Sequence, residues 1–185
     1  MLGIDDTAAV LGHASWLEAR CFEILGAWVP IVPEPDAKLL VARHSRHHGW
    51  HAVLLAELVP TTRAHDPRRL VAPSDDRWPE ALARVAGDAA TPTLDRLVGA
   101  YQVVLPAMVA GYDETLSRTS PWSDGPVARG VRLVVDDERS DLAEGLGFLE
   151  DLLDAEAAVD RAARRRAELG ATLPPRAVSG GVSGR

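Results

Sequence analysis

Apolar residues recur along this chain every three to four positions, the period of a helix buried on one face. No run alternates with the period of two that a half-buried strand requires. The periodic stretches predict four long helices. The first starts near Asp5-Asp6-Thr7, acids and a hydroxyl suited to an N-terminus, and stops before Pro30. Pro30-Ile31-Val32-Pro33-Glu34-Pro35 is a tight connection, so the second, about residues 36–59, returns antiparallel to the first. The third covers about residues 92–118, with Pro92 in its first turn and Pro106 expected to kink it. After a turn at residues 120–125, the fourth begins near Pro126 and extends to Leu169, with a break or bend expected at Gly145 and Gly147. Between the two pairs, residues 60–76 read as polar and irregular, with Arg63, Arg68 and Arg69, and a brief helix is predicted over residues 79–86. The fold class is all-α: an up-down four-helix bundle of two antiparallel helical hairpins. One domain is expected over residues 1–169, followed by a Gly-, Ser- and Pro-rich tail, 170–185, expected to be disordered.

The informative positions are those where a polar group interrupts an apolar stripe. On the first helix the stripe runs Leu11, Ala14, Glu18, Cys21, Leu25, Trp28, with one carboxylate in it. On the second it runs Leu40, His44, His47, His51, Leu54, Leu58, three consecutive core positions being histidine and His48 lying beside them. On the fourth, Glu138 and Asp141 fall between Val134 and Gly145. The third carries Tyr101 and Tyr112 but no carboxylate. A buried charge is costly unless it is paired or bound to a metal, so three helices are expected to send polar groups into a shared interior. If the first hairpin reverses near residue 32, Glu18 lies level with His44 and His47. A second layer would join Glu138, Asp141 and Tyr101. Histidines at i, i+3 and i, i+4 project from one helix face, and imidazole with carboxylate suits iron, manganese or zinc. The candidate metal ligands are Glu18, His44, His47, His51, Glu138 and Asp141, for one or two ions.

Bulk properties narrow the partners. The 185 residues are 46% hydrophobic and 25% charged, with a formal net charge of −7. An acidic chain lacks the basic face that nucleic acid requires. The most apolar stretch, residues 97–112, is shorter than the roughly 20 residues of a membrane span and is interrupted by Gln102 and Pro106. One cysteine, Cys21, forbids an intrachain disulfide, and the first ten residues carry acids where a secretion signal would carry positive charge. A cytoplasmic location is expected. Phosphate-binding glycine loops, a nucleophile elbow, paired-cysteine zinc motifs and His-Glu-x-x-His are all missing.

The mid-helix Glu18, the histidine motif ARHSRHHGWH and the acidic motif DDERSD, set on two helical hairpins, resemble the ferritin-like superfamily over roughly residues 7–155. Members of that superfamily hold a di-metal centre with one glutamate from each of two helices and Glu-x-x-His from each of the other two. On this resemblance Glu18 corresponds to the first-helix glutamate, His47 to the first motif histidine and Glu138 to the second motif glutamate. His44 stands in place of a glutamate, Asp141 in place of a histidine, and the third-helix glutamate has no counterpart. The resemblance implies a metal-binding protein with oxidoreductase-type chemistry. The alternative is a non-enzymatic scaffold that has lost its centre and works through partners or as a homodimer. A third class, the DinB-like metal-dependent hydrolases and transferases, needs three histidines from at least two helices; only His13 and His65 lie outside the second helix here.

Overall fold

A computed structural model of the protein describes residues 2–62 and 66–174. Among them there are helices and connections but no strand. In chain order the helices are α1 (Ile4–Trp28), α2 (Pro35–Leu58), α3 (Pro67–Leu70), α4 (Arg77–Ala86), α5 (Thr93–Leu97), a π-helical segment (Val98–Val104), α6 (Leu105–Arg118), α7 (Gly125–Leu152) and α8 (Glu156–Gly170). No helix among the described residues is long and apolar enough to cross a membrane. Arg63, His65 and the tail from residue 175 onward lie outside the described residues.

α1 and α2 form the most extensive helix pair, and the whole predicted α1 stripe is buried, Glu18 included. The hairpin is pinned by two side chain to backbone bonds: the Ser15 hydroxyl donates to the Ala52 carbonyl at 2.9 Å and the Ser45 hydroxyl to the Phe22 carbonyl at 2.8 Å. These pairs centre the reversal between Pro33 and Glu34, one to two residues beyond residue 32. The shift is small, but on a helix rising ~1.5 Å per residue it moves Glu18 away from the level of His44 and His47 and toward that of His48 and His51.

α7 lies antiparallel to both α2 and α6. Leu58 packs on Gly130 at one end of the α2–α7 contact, and Arg43 pairs with Glu144 at the other. Arg139 reaches Asp113 on α6 at 2.7 Å. α1 meets α6 through Cys21 and Met108, whose sulfurs are 3.6 Å apart.

Two sequence expectations change. Proline at 106 removes an N–H and crowds the preceding turn; the chain absorbs this by widening into the π-helical segment, with Pro106 then standing in the first turn of α6. The break in the last helix falls at residues 153–155, between α7 and α8, and not at Gly145 or Gly147. Gly145 serves close approach: a Cβ there would lie 2.2 Å from a ring carbon of Tyr101. α8 folds back to cover the π-helical segment, and α4 covers the end of α1, where the Trp28 indole donates to the Ala86 carbonyl at 3.0 Å. Arg96, almost fully buried, donates to the carbonyls of Ala86 (2.7 Å), Thr91 (3.1 Å) and Asp88, which fixes the connection between α4 and α5.

Candidate metal centre

Glu18 from α1, His48 and His51 from α2, and Glu138 from α7 converge in the middle of the structure, and all four are 0% exposed. His48 Nδ1 is 2.6 Å from Glu18 Oε2 and 3.0 Å from Glu138 Oε1. His51 Nδ1 is 3.1 Å from the same Glu138 oxygen and 3.6 Å from the same Glu18 oxygen. Two nitrogens and two oxygens therefore face a common point. Donors about 2.0–2.1 Å from a tetrahedral zinc stand roughly 3.3 Å apart, within the span of these separations.

Neighbouring groups hold the four side chains. Tyr112 on α6 donates its hydroxyl to Glu18 Oε1, leaving Oε2 turned toward the histidines. His51 Nε2 meets Asp137 Oδ2 at 3.2 Å, the outer partner that orients a ligating imidazole in many metal sites. Cys21 lies close below, its thiol pushed up to about 12 by burial, so it stays protonated.

The electrostatics are those of a tightly coupled group. Burial opposes the charge on Glu18, yet the His48 and His51 imidazoles overcome it and hold the carboxyl at about 2. Burial likewise opposes a proton on either histidine. The facing carboxylates prevail, raising His48 well above the ordinary histidine value and His51 to about 10. Among the described residues no lysine or arginine pairs with Glu18 or Glu138; the only cationic partners facing them are imidazoles, beside the neutral Tyr112 hydroxyl on Glu18. Two buried atoms, His48 Nε2 and Glu138 Oε2, have no hydrogen-bond partner. Each such atom costs about 1–3 kcal/mol. Neither is among the four atoms that face the common point, and His48 Nε2 lies across the ring from Nδ1. The fit to an ion rests on those four, two imidazole nitrogens and two carboxylate oxygens, a donor set that suits a divalent first-row ion.

The structure thus brings Glu18, His51 and Glu138 together, with His48 as the fourth member. The buried face of α2 runs Ala37, Leu40, His44, His48, His51, Leu55. His48 was discernible at i+4 from His44; a stripe stepped by three at that point selects His47 instead. His47 is partly exposed, and its Nδ1 meets Asp141 Oδ2 at 2.9 Å. His44 and Asp141 sit one turn further out, beside Glu144. There Tyr101, in the π-helical segment, meets His44 Nδ1 at 2.8 Å. Burial lowers the affinity of His44 for a proton and raises that of Tyr101, so both are neutral at pH 7. Trp28 is a core residue, but Trp50 is half exposed on the outer face of α2.

No known family model, curated protein or solved structure matches this chain. The site's own geometry is what bears on function.

Proposed function

We propose that this protein is a ferritin-like metal-binding protein that holds iron, manganese or zinc on Glu18, His48, His51 and Glu138. One observation supports the proposal: four donors from three helices are sealed from solvent around a common point, at separations of 2.6 to 3.6 Å. When bound, the ion supplies Lewis-acid or redox chemistry of the oxidoreductase type. The chain's own part is to position and to exclude. Tyr112 fixes one oxygen of Glu18, Asp137 fixes the His51 ring, and the surrounding apolar residues keep bulk water away. Every histidine near the centre comes from α2, which disfavours a three-histidine site assembled from separate helices.

A second reading has its own support. Two carboxylates and two imidazolium rings sum to no net charge, and the raised proton affinity of His48 and His51 allows that metal-free balance. In that case the cluster is a structural network and the protein a scaffold. Metal analysis of protein purified without affinity-metal chromatography, beside Glu18→Gln and His48→Ala variants, separates the two. Near-stoichiometric metal that both variants lose is the expected result. Protein that stays metal-free after reconstitution and folds equally well would sink the metal reading.

A further inference from the structure

A second set of donors lies about one turn along α2 and α7 from the buried four. His44 is fully buried, Asp141 nearly so, and the Glu144 side chain is half exposed. His44 Nε2 is 3.1 Å from Glu144 Oε2 and 3.4 Å from Asp141 Oδ1, again the spacing of ligands around one small cation. Their surroundings are those of an ordered ligand set. Tyr101 fixes the far nitrogen of the His44 ring, and His47 Nδ1 holds Asp141 at 2.9 Å. Glu144 also lines an open cleft of about 330 Å³ between the start of α2 and the end of α7. Three of that cleft's lining side chains are acids, Asp36, Glu144 and Asp151, against a single cation, Arg43, which pairs with Glu144.

We propose that His44, Asp141 and Glu144 form a second, weaker and exchangeable divalent-cation site one turn from the buried one, open to this acidic cleft. It rests on the metal-binding reading for the kind of ion it meets, and its ligands are separate from those of the buried site. Three protein donors with one side open leave room for water on the ion, so exchange is faster here than at a closed four-donor site. The Arg43 guanidinium is a tethered competitor for Glu144, which keeps the outer site weak.

The test is titration of metal-free protein with cobalt(II), followed by visible absorption and calorimetry, for the native chain and for Glu144→Gln, Asp141→Asn and Glu18→Gln. Glu144 is half exposed, so its variant tests the site without disturbing the interior; circular dichroism checks the others. Two binding steps are expected. Glu144→Gln and Asp141→Asn should each weaken the second by about tenfold or more and leave the first unchanged, while Glu18→Gln removes the first. A single step sensitive only to Glu18→Gln overturns the outer site and leaves the buried one standing. A single step sensitive only to Glu144→Gln and Asp141→Asn upholds the outer site and overturns the buried one. If Glu144→Gln weakens both steps alike, the two sets are one site and the proposal fails. The absence of any step overturns both.

Discussion

Tyr112 and Glu18 are joined across α1 and α6: the phenol donates to one carboxylate oxygen while the other meets His48 at 2.6 Å. The carboxylate is therefore held in one orientation from both sides. Tyr112→Phe keeps the ring and deletes the donor. A buried hydrogen bond to a charged group contributes about 1.5–3 kcal/mol, so denaturant unfolding of the metal-free variant should show a loss of that order. If Glu18 is a ligand, metal affinity should fall about tenfold as well. Full native affinity in a variant with the predicted stability loss would confine Tyr112 to a structural role.

Metal binding should release protons. His48 and His51 hold protons well above the ordinary histidine value in the metal-free protein, and a ligating imidazole must be neutral. Calorimetry in buffers of different ionisation enthalpy should report about two protons displaced per ion near pH 7. Affinity should rise with pH by up to about tenfold per displaced proton per unit. An affinity that does not change with pH would exclude these two histidines as ligands.

Stability of the metal-free protein should fall on both sides of neutrality. The folded affinity of His51 for a proton is raised to about 10, so its contribution is complete below the unfolded value near 6.5 and is lost as pH rises toward 10. His13 behaves oppositely. Burial between Trp16 and Trp78 is the main cause lowering it to about 4, and its Nδ1 accepts from the Ser74 N–H at 3.1 Å. Its contribution is complete above 6.5 and is lost as pH falls to 4. Urea midpoints across pH 4–10 should show both slopes. His13→Gln should flatten the acid one, by an amount on the order of 2 kcal/mol. Saturation with metal should flatten the alkaline one, because the histidines then carry no proton to lose.

Gly145→Ala should be among the most damaging single-methyl additions. The new Cβ would stand 2.2 Å from the Tyr101 ring, which is itself fully buried. Overpacking of this kind costs about 1–3 kcal/mol, and relief requires Tyr101 to move away from His44. A melting temperature equal to that of the native chain would show that the Tyr101 ring shifts freely.

How far the sequence reveals this arrangement depends on which element is asked. The helices were legible because each long one carries an apolar stripe, and α1 is buried along the stripe its sequence predicts, down to Glu18. Glu138 and Asp141 stand out for the same reason: carboxylates set among valines on one face. His47 and His48 are adjacent in sequence, and only the helix register decides which faces inward; a reversal displaced by a residue or two tips that choice. Glycine was ambiguous at 145, where it marks the approach of Tyr101 and not a break. Arg96 gave no signal at all, because its partners are backbone carbonyls of a connection whose path depends on the packing around it.

The contact between α2 and α7 has a further consequence. Along it, from the Leu58–Gly130 end, come His51 with Asp137 and Glu138, then His47 with Asp141, then His44 and Arg43 with Glu144. Most of this seam consists of titratable pairs, whereas α1 and α2 are joined mainly by apolar packing and hydroxyl to carbonyl bonds, with Glu18 and the His48 and His51 rings its fully buried titratable contact. The two seams therefore answer to different solution conditions. At extremes of pH α7 is expected to loosen ahead of the α1–α2 hairpin, beginning at the solvent-facing Arg43–Glu144 end. Amide exchange in α7 would rise ahead of that in α1, and the protein would come apart by opening one polar edge before its apolar half dissolves.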